Sequence, residues 1–315
     1  MFCSVLFLGC QTDPSLEGIN FKQEMRDFVI GISEYSKAIN GSFLIIPQNG
    51  IEIVTDEGDL SDSLNQSYLD AIDAHGQEDL LYGYNADDRE TPQGDTVYLQ
   101  DFLNISKNSG NVILVTDYCS TISNVDDSYT RNETGGYISF AADHRELDNI
   151  PGYPTVIHNE NVNNIVSIAQ VENFLHLINP DQFVTKSAFI SAVQATNYDL
   201  LIMDLFFHDD TEFAALEIAQ LRQKANGGIR LVVCYMSIGE AENYRYYWQD
   251  EWVATKPDWL EAENPQWHGN YKVRYWDTDW QDIILGSDAS FTKKILDASF
   301  DGVYLDIIEA FEFFE

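Results

Sequence analysis

Short runs of apolar residues recur along the chain, and most are separated by longer stretches in which apolar side chains return every three or four positions. The first pattern suits buried strands of a parallel sheet, and the second suits the helices that cover them. Eight runs read as strands: "SFLIIPQNG" (42–50), "YLDAIDAHGQEDLLYG" (68–83), "NVILVTDYC" (111–119), "VENFLHLIN" (171–179), "YDLLIMDLFF" (198–207), "IRLVVCYMSIGE" (229–240), "NYKVRYWDTDW" (270–280) and "FDGVYLDII" (300–308). Between them, residues 21–39, 96–110, 210–228 and 290–300 carry helical spacing and end near Gly or Asn. The stretch 120–170 is polar and rich in Gly, Pro and Asn, so it reads as long loops rather than a second domain.

Eight strand–helix units predict an α/β chain folded as one (β/α)8 TIM barrel over residues 21–315, a fold that typically takes about 250 residues. A doubly wound open sheet has a similar alternation, and the strand ends favour the barrel. Gln48 and Asn49, Glu78, Asp117 and Tyr118, Asp204, Glu240, Trp276 and Asp277, and Asp306 all stand at or near the C-terminal ends of predicted strands. In a barrel those ends converge on one mouth. The last run, "FDGVYLDIIEAFEFFE", would deliver Asp306 and Glu309 there, yet no helix follows it to cover the strand.

Composition narrows the function classes. There are 52 Asp and Glu against 17 Lys and Arg, a formal charge of −35, which repels nucleic acid and attracts cationic partners. Cys119 and Cys234 sit in apolar runs, and the four cysteines have no metal-ligand spacing. Residues 1–20 begin "MFCSVLFLGCQTD", which has the look of a lipoprotein signal with Cys10 as the lipidated residue. An extracytoplasmic bacterial protein, with membrane attachment through Cys10, is the expectation. Gly-rich phosphate loops, HExxH, paired CxxC and a nucleophile elbow are all missing from the sequence. No cofactor or metal is expected, and the chemistry left is that of carboxylates and aromatics. Two carboxyl groups across an aromatic-lined cleft are the equipment for glycoside hydrolysis, with a separation of about 5–5.5 Å for retention and about 6.5–9.5 Å for inversion.

At "SIGEAENYRYYW" (237–248), "NPQWHGNYKVRYWDTDWQDII" (264–284) and "FDGVYLDII" (300–308) the chain resembles the endo-α-1,4-polygalactosaminidase-like glycoside hydrolases, glycoside hydrolase family 114, a family of (β/α)8 barrels. In that family the Gly-Val-x-x-Asp strand is the fifth, and it is followed by elements like those found here at 21–119. The resemblance therefore implies a circular permutant, cut after strand five, with its helix supplied by residues 21–39. It implies an α-1,4-linked galactosamine polymer as substrate, with Asp306 as nucleophile or base, Glu78 as general acid and Glu240 as a third candidate. Asp204, Arg245, Trp276, Asp277, Gln48, Asn49, Asp117 and Tyr118 would bind substrate. The family's Asp-Asn-x-Asp pattern is replaced here by "DIIEAF", which points to an altered subsite. Plainer readings stand beside these: Asp306 as a capping carboxylate, Glu240 as the partner of Arg245, Trp276 and Trp280 as core. A non-catalytic carbohydrate-binding protein on the same scaffold is the rival function, and closure by swapping between molecules is the rival assembly.

Overall fold

A computed structural model describes residues 16–208 and 211–315. Among these residues eleven strands are formed: β1 (Leu44–Pro47), β2 (Ala74–Glu78), β3 (Val112–Tyr118), β4 (Ile138–Ala142), β5 (Phe174–His176), β6 (Leu200–Met203), β7 (Leu231–Ser237), β8 (Glu240–Glu242), β9 (Leu260–Glu263), β10 (Asn270–Val273) and β11 (Gly302–Asp306). Eight helices accompany them: α1 (Phe21–Ile39), α2 (Gln66–Ala71), α3 (Gln93–Asn108), α4 (Ile122–Gly135), α5 (Lys186–Gln194), α6 (Ala215–Leu221), α7 (Thr278–Ile284) and α8 (Phe291–Asp297). None of the helices among the described residues is long and apolar enough to cross a membrane. The apolar start with Cys10 lies outside the described residues.

Eight strands are parallel and fall into two sheets, ordered β1-β11-β7-β6-β5 and β2-β3-β4. A parallel bridge between Gln48 and Gly76 joins the sheets at β1 and β2. At the other seam β4 and β5 are neighbours without a ladder, and Phe140 packs on Phe174 there with ring centroids 5.8 Å apart. Nearly every residue of β1, β3, β6, β7 and β11 is buried, as parallel strands covered on both faces require.

The eight parallel strands are not quite the eight runs expected. "NYKVRYWDTDW" is no part of the parallel sheets: β10 ends at Val273 and pairs antiparallel with β8 and β9 in a separate three-stranded flap. Its alternation of apolar and polar residues is as good for a two-sided antiparallel strand as for a buried one. The missing member is β4, in the stretch read as loops, preceded there by α4. The buried face of α4 holds Val125, Ser128, Tyr129 and Asn132, so half of its core-facing positions are polar and its periodicity is hidden. Of the run 68–83, only Ala74–Glu78 is strand, because its first residues complete α2.

The end of the chain and the start of α1 meet. Asn20 caps α1 by accepting from Gln23 N–H at 3.0 Å, and Phe21, Met25, Phe28, Val29 and Ile32 form its buried stripe. Each buried side chain of that size is worth about 1.5–3 kcal/mol. Lys22 donates to Glu315 at 2.6 Å, and Phe21 stacks on Phe314 with centroids 5.5 Å apart. α1 leads into β1, the parallel neighbour of β11.

Candidate active site

Two residues at the ends of the strands flanking β1 face each other. Asp306 closes β11 and Glu78 closes β2, with Gln48 at the end of β1 between them. The Gln48 side-chain nitrogen donates to Glu78 Oε2 at 2.7 Å and to Asp306 Oδ1 at 2.9 Å. An amide oxygen in that place would confront two acceptors, so the chemistry fixes the orientation of the amide. The nearest oxygens of the two acids are thus closer than the roughly 6.5–9.5 Å of carboxyl pairs that leave room for an attacking water.

Each acid is further held. Asn49 donates to Glu78 Oε2 at 3.1 Å, its own Oδ1 accepts from the Glu78 backbone N–H at 3.0 Å, and the Tyr118 hydroxyl donates to Glu78 Oε1. Tyr235, on β7, donates its hydroxyl to Asp306 Oδ2 at 2.7 Å. Burial, then the adjacent Glu78, pushes Asp306 up to about 7 from an ordinary value of 3.8. The residue after it, Ile307, has φ +61°, a left-handed conformation that is costly for a β-branched side chain. Gly239 permits it: a Cβ there would lie 2.2 Å from the Ile307 carbonyl oxygen.

The pair lines a cleft of about 450 Å³, which also takes in Arg145, His176, Asp204, Glu240, Glu242, Tyr244, Arg245, Trp267 and Glu309. Its other acids are mostly neutralised. Arg245 bridges Asp204 at 2.7 Å and Glu242 at 2.5 Å, and its guanidinium sits over the rings of Phe206, Tyr244 and Phe291. Lys272 pairs with Glu240 at 2.6 Å and Asn264 donates to the same oxygen at 2.8 Å. Glu240 is therefore a partner of Lys272, not of Arg245. Glu309 keeps one buried oxygen without a partner, and burial, then Asp306, raises it well above the ordinary carboxylate range.

Asp306, Glu78, Glu240, Asp204, Arg245, Gln48 and Tyr118 thus line one cleft, and Asn49 touches it through Glu78. Three expected binding residues are elsewhere. Asp117 turns away and accepts from the backbone N–H groups of Leu81 and Tyr82, from Ser128 and from Asn132, which folds the loop behind Glu78. Trp276 packs between Phe21 and Phe314, and Asp277 caps α7, because residues 274–277 follow the flap and do not end a parallel strand. Trp280, too, is core, donating to the Ile238 carbonyl at 2.9 Å. Tyr235, Arg145, His176, Glu242, Tyr244 and Trp267 escaped sequence reasoning. The alternation of β7 places Tyr235 on one side with Ser237 and was a usable signal; Arg145 had none.

Residues 179–313 match the glycoside-hydrolase family GH114. Over that segment, less than half of the chain, the protein is similar to GH114. GH114 is a TIM-barrel family, and the parallel α/β architecture agrees with it. The chain is also 35% identical over 180 residues to an uncharacterized protein of Methanocaldococcus jannaschii, covering 57% of this chain and 49% of the relative. An uncharacterized protein of Deinococcus radiodurans is 39% identical over 123 residues, 39% of this chain and 37% of the relative. One of Thermotoga maritima is 32% identical over 121 residues, 38% and 36% of the two chains. The chain spans about half the length, or less, of these curated relatives. The GH114-matched segment contains Asp204, Tyr235, Glu240, Arg245, Asp306 and Glu309, whereas Gln48, Asn49, Glu78, Tyr118 and Arg145 lie outside it.

The Arg245 cluster carries a stability prediction. Arg245→Met leaves Asp204 and Glu242 facing each other with little solvent, and breaking a buried pair in this way costs about 3–5 kcal/mol. Urea unfolding at neutral pH should show that loss, and a midpoint unchanged from the parent would refute it.

Proposed function

We propose that the chain is a glycoside hydrolase that cleaves an amino-sugar polysaccharide, α-1,4-linked galactosamine, by double displacement with retention of configuration. The observation that carries this is the single Gln48 amide held between Asp306 and Glu78, since acids this close suit direct attack on the sugar better than attack through a water. In a coupled pair the proton belongs to the pair. As positive charge develops at the anomeric carbon beside Asp306, the pair's proton passes to the leaving oxygen through Glu78 while the Asp306 carboxylate attacks. Glu78 then takes a proton from the water that releases the sugar. Asp204 and Arg245 lie along the same cleft as residues that bind the polymer. The net charge of −35 suits a cationic polymer.

The scaffold in this reading is a closed (β/α)8 barrel in permuted order. In its favour are the β1–β11 ladder within one chain, the Gln48–Gly76 bridge, the contact of β4 with β5 and the meeting of Phe21 with Phe314. A carbohydrate-binding protein would have no need of two carboxyl groups sharing one amide. The test is release of reducing ends from α-1,4-linked galactosamine polymers, with proton NMR of the first product. An α-anomer appearing first is expected. A β-anomer first would overturn double displacement, and no turnover of any amino-sugar polymer would overturn the hydrolase reading.

A further inference from the structure

Arg145 stands on the loop that follows β4, in a stretch the sequence marks as plain loop, and its side chain reaches the cleft wall. Its guanidinium lies over the Tyr118 ring, 4.2 Å from the centroid. It also grips Asp79 with two hydrogen bonds, at 2.8 and 3.2 Å, and donates to the Gly83 carbonyl and to Asp87 at 2.5 and 2.6 Å. Both of the first two partners lead to Glu78. Tyr118 donates its hydroxyl to the Glu78 carboxylate, and Asp79 is the next residue in the chain, in a left-handed conformation at φ +57° with its N–H fixed to the Thr116 carbonyl.

We infer that Arg145 is a positioning residue for Glu78, holding it from the hydroxyl side through Tyr118 and from the backbone side through Asp79. The inference rests on the acid role given to Glu78 above. A cation over a phenol ring draws charge from the oxygen and makes the hydroxyl a stronger donor, so Arg145 tunes the bond to Glu78 as well as its direction. The planar fork serves both contacts at once: one face stacks on the ring while the edge binds the carboxylate.

Arg145→Met alone would leave Asp79 without its counter-charge, where burial already pushes that carboxyl up to about 7. The informative variant is therefore Arg145→Met with Asp79→Asn, since asparagine tolerates the left-handed conformation and no buried charge is left uncompensated. Wild type, this double variant and Glu78→Gln are compared on an α-1,4-linked galactosamine oligomer and on 2,4-dinitrophenyl α-galactosaminide, whose leaving group needs no acid. The double variant should lose about tenfold or more in kcat on the oligomer, with KM little changed, and keep the rate of its dinitrophenol burst on the aryl glycoside. A wild-type kcat on the oligomer would make Arg145 a mere counter-ion of Asp79. Equal losses on both substrates would mean general damage to the site, and either result overturns the inference. If Glu78→Gln fails to show the leaving-group dependence, the acid role falls and Arg145 with it; if Glu78→Gln shows it and the double variant does not, only the inference about Arg145 fails.

Discussion

Asp306→Asn should abolish polymer cleavage, lowering the rate of reducing-end release by ~10³-fold or more, because an amide cannot supply the covalent bond of the first displacement. The substitution is close to isosteric. The oxygen of the new amide can accept from Gln48 while its nitrogen meets the Tyr235 hydroxyl, so the packing around β11 stays as it is. The same change should stabilise the fold at neutral pH. The folded protein holds Asp306 at about 7, above its ordinary 3.8, so between those values the folded state binds more protons than the unfolded one. The contribution of Asp306 is therefore fully present below about pH 4 and is lost as pH rises through about 7. The variant should melt above the parent at pH 8 and level with it at pH 4. Turnover surviving in the variant would remove Asp306 from the chemistry, whereas a melting gain at pH 4 equal to that at pH 8 would remove only its raised proton affinity.

Asp306 and Glu78 stand at the ends of apolar runs, and strand ends of parallel sheets share one side, so their meeting could be anticipated from pattern and resemblance together. Direction could not. Asp117 occupies the same kind of position on β3, yet its carboxylate faces back to cap Leu81 and Tyr82, a choice set by the loop that passes there. "NYKVRYW" has the composition of a strand and its first four residues form one, but local pattern does not say whether its partners are parallel or antiparallel. In the opposite error, the polar Ser128 and Asn132 hid α4 because they serve Asp117, not solvent. Arg145 depends on a loop path with no periodicity to read. The ion pair of Lys22 with Glu315 joins two ends of the chain that no local pattern relates.

Glu78→Gln separates the two carboxyl groups by role. A general acid contributes about 10²–10⁴-fold when the leaving oxygen is a sugar alkoxide, so kcat on α-1,4-linked galactosamine should fall by that factor. On a 2,4-dinitrophenyl glycoside, whose phenolate departs unaided, glycosylation by Asp306 should survive, and the covalent intermediate should accumulate because no base activates water. A burst of dinitrophenol followed by a slow steady state is the expected trace, and added azide, a nucleophile that needs no base, should speed that steady state. The pH profile moves as well. In the parent, burial and the negative neighbour keep a proton on the pair to about pH 7, so kcat/KM should fall as pH rises beyond it. With a neutral glutamine at position 78 the repulsive part of that shift is gone, so Asp306 ionises at lower pH and the burst persists into more acidic solution than pair chemistry allows. A variant that loses both substrates equally would make Glu78 the nucleophile or a structural prop, and the acid would then have to be sought at Glu309, whose buried oxygen stands unpartnered beside the pair.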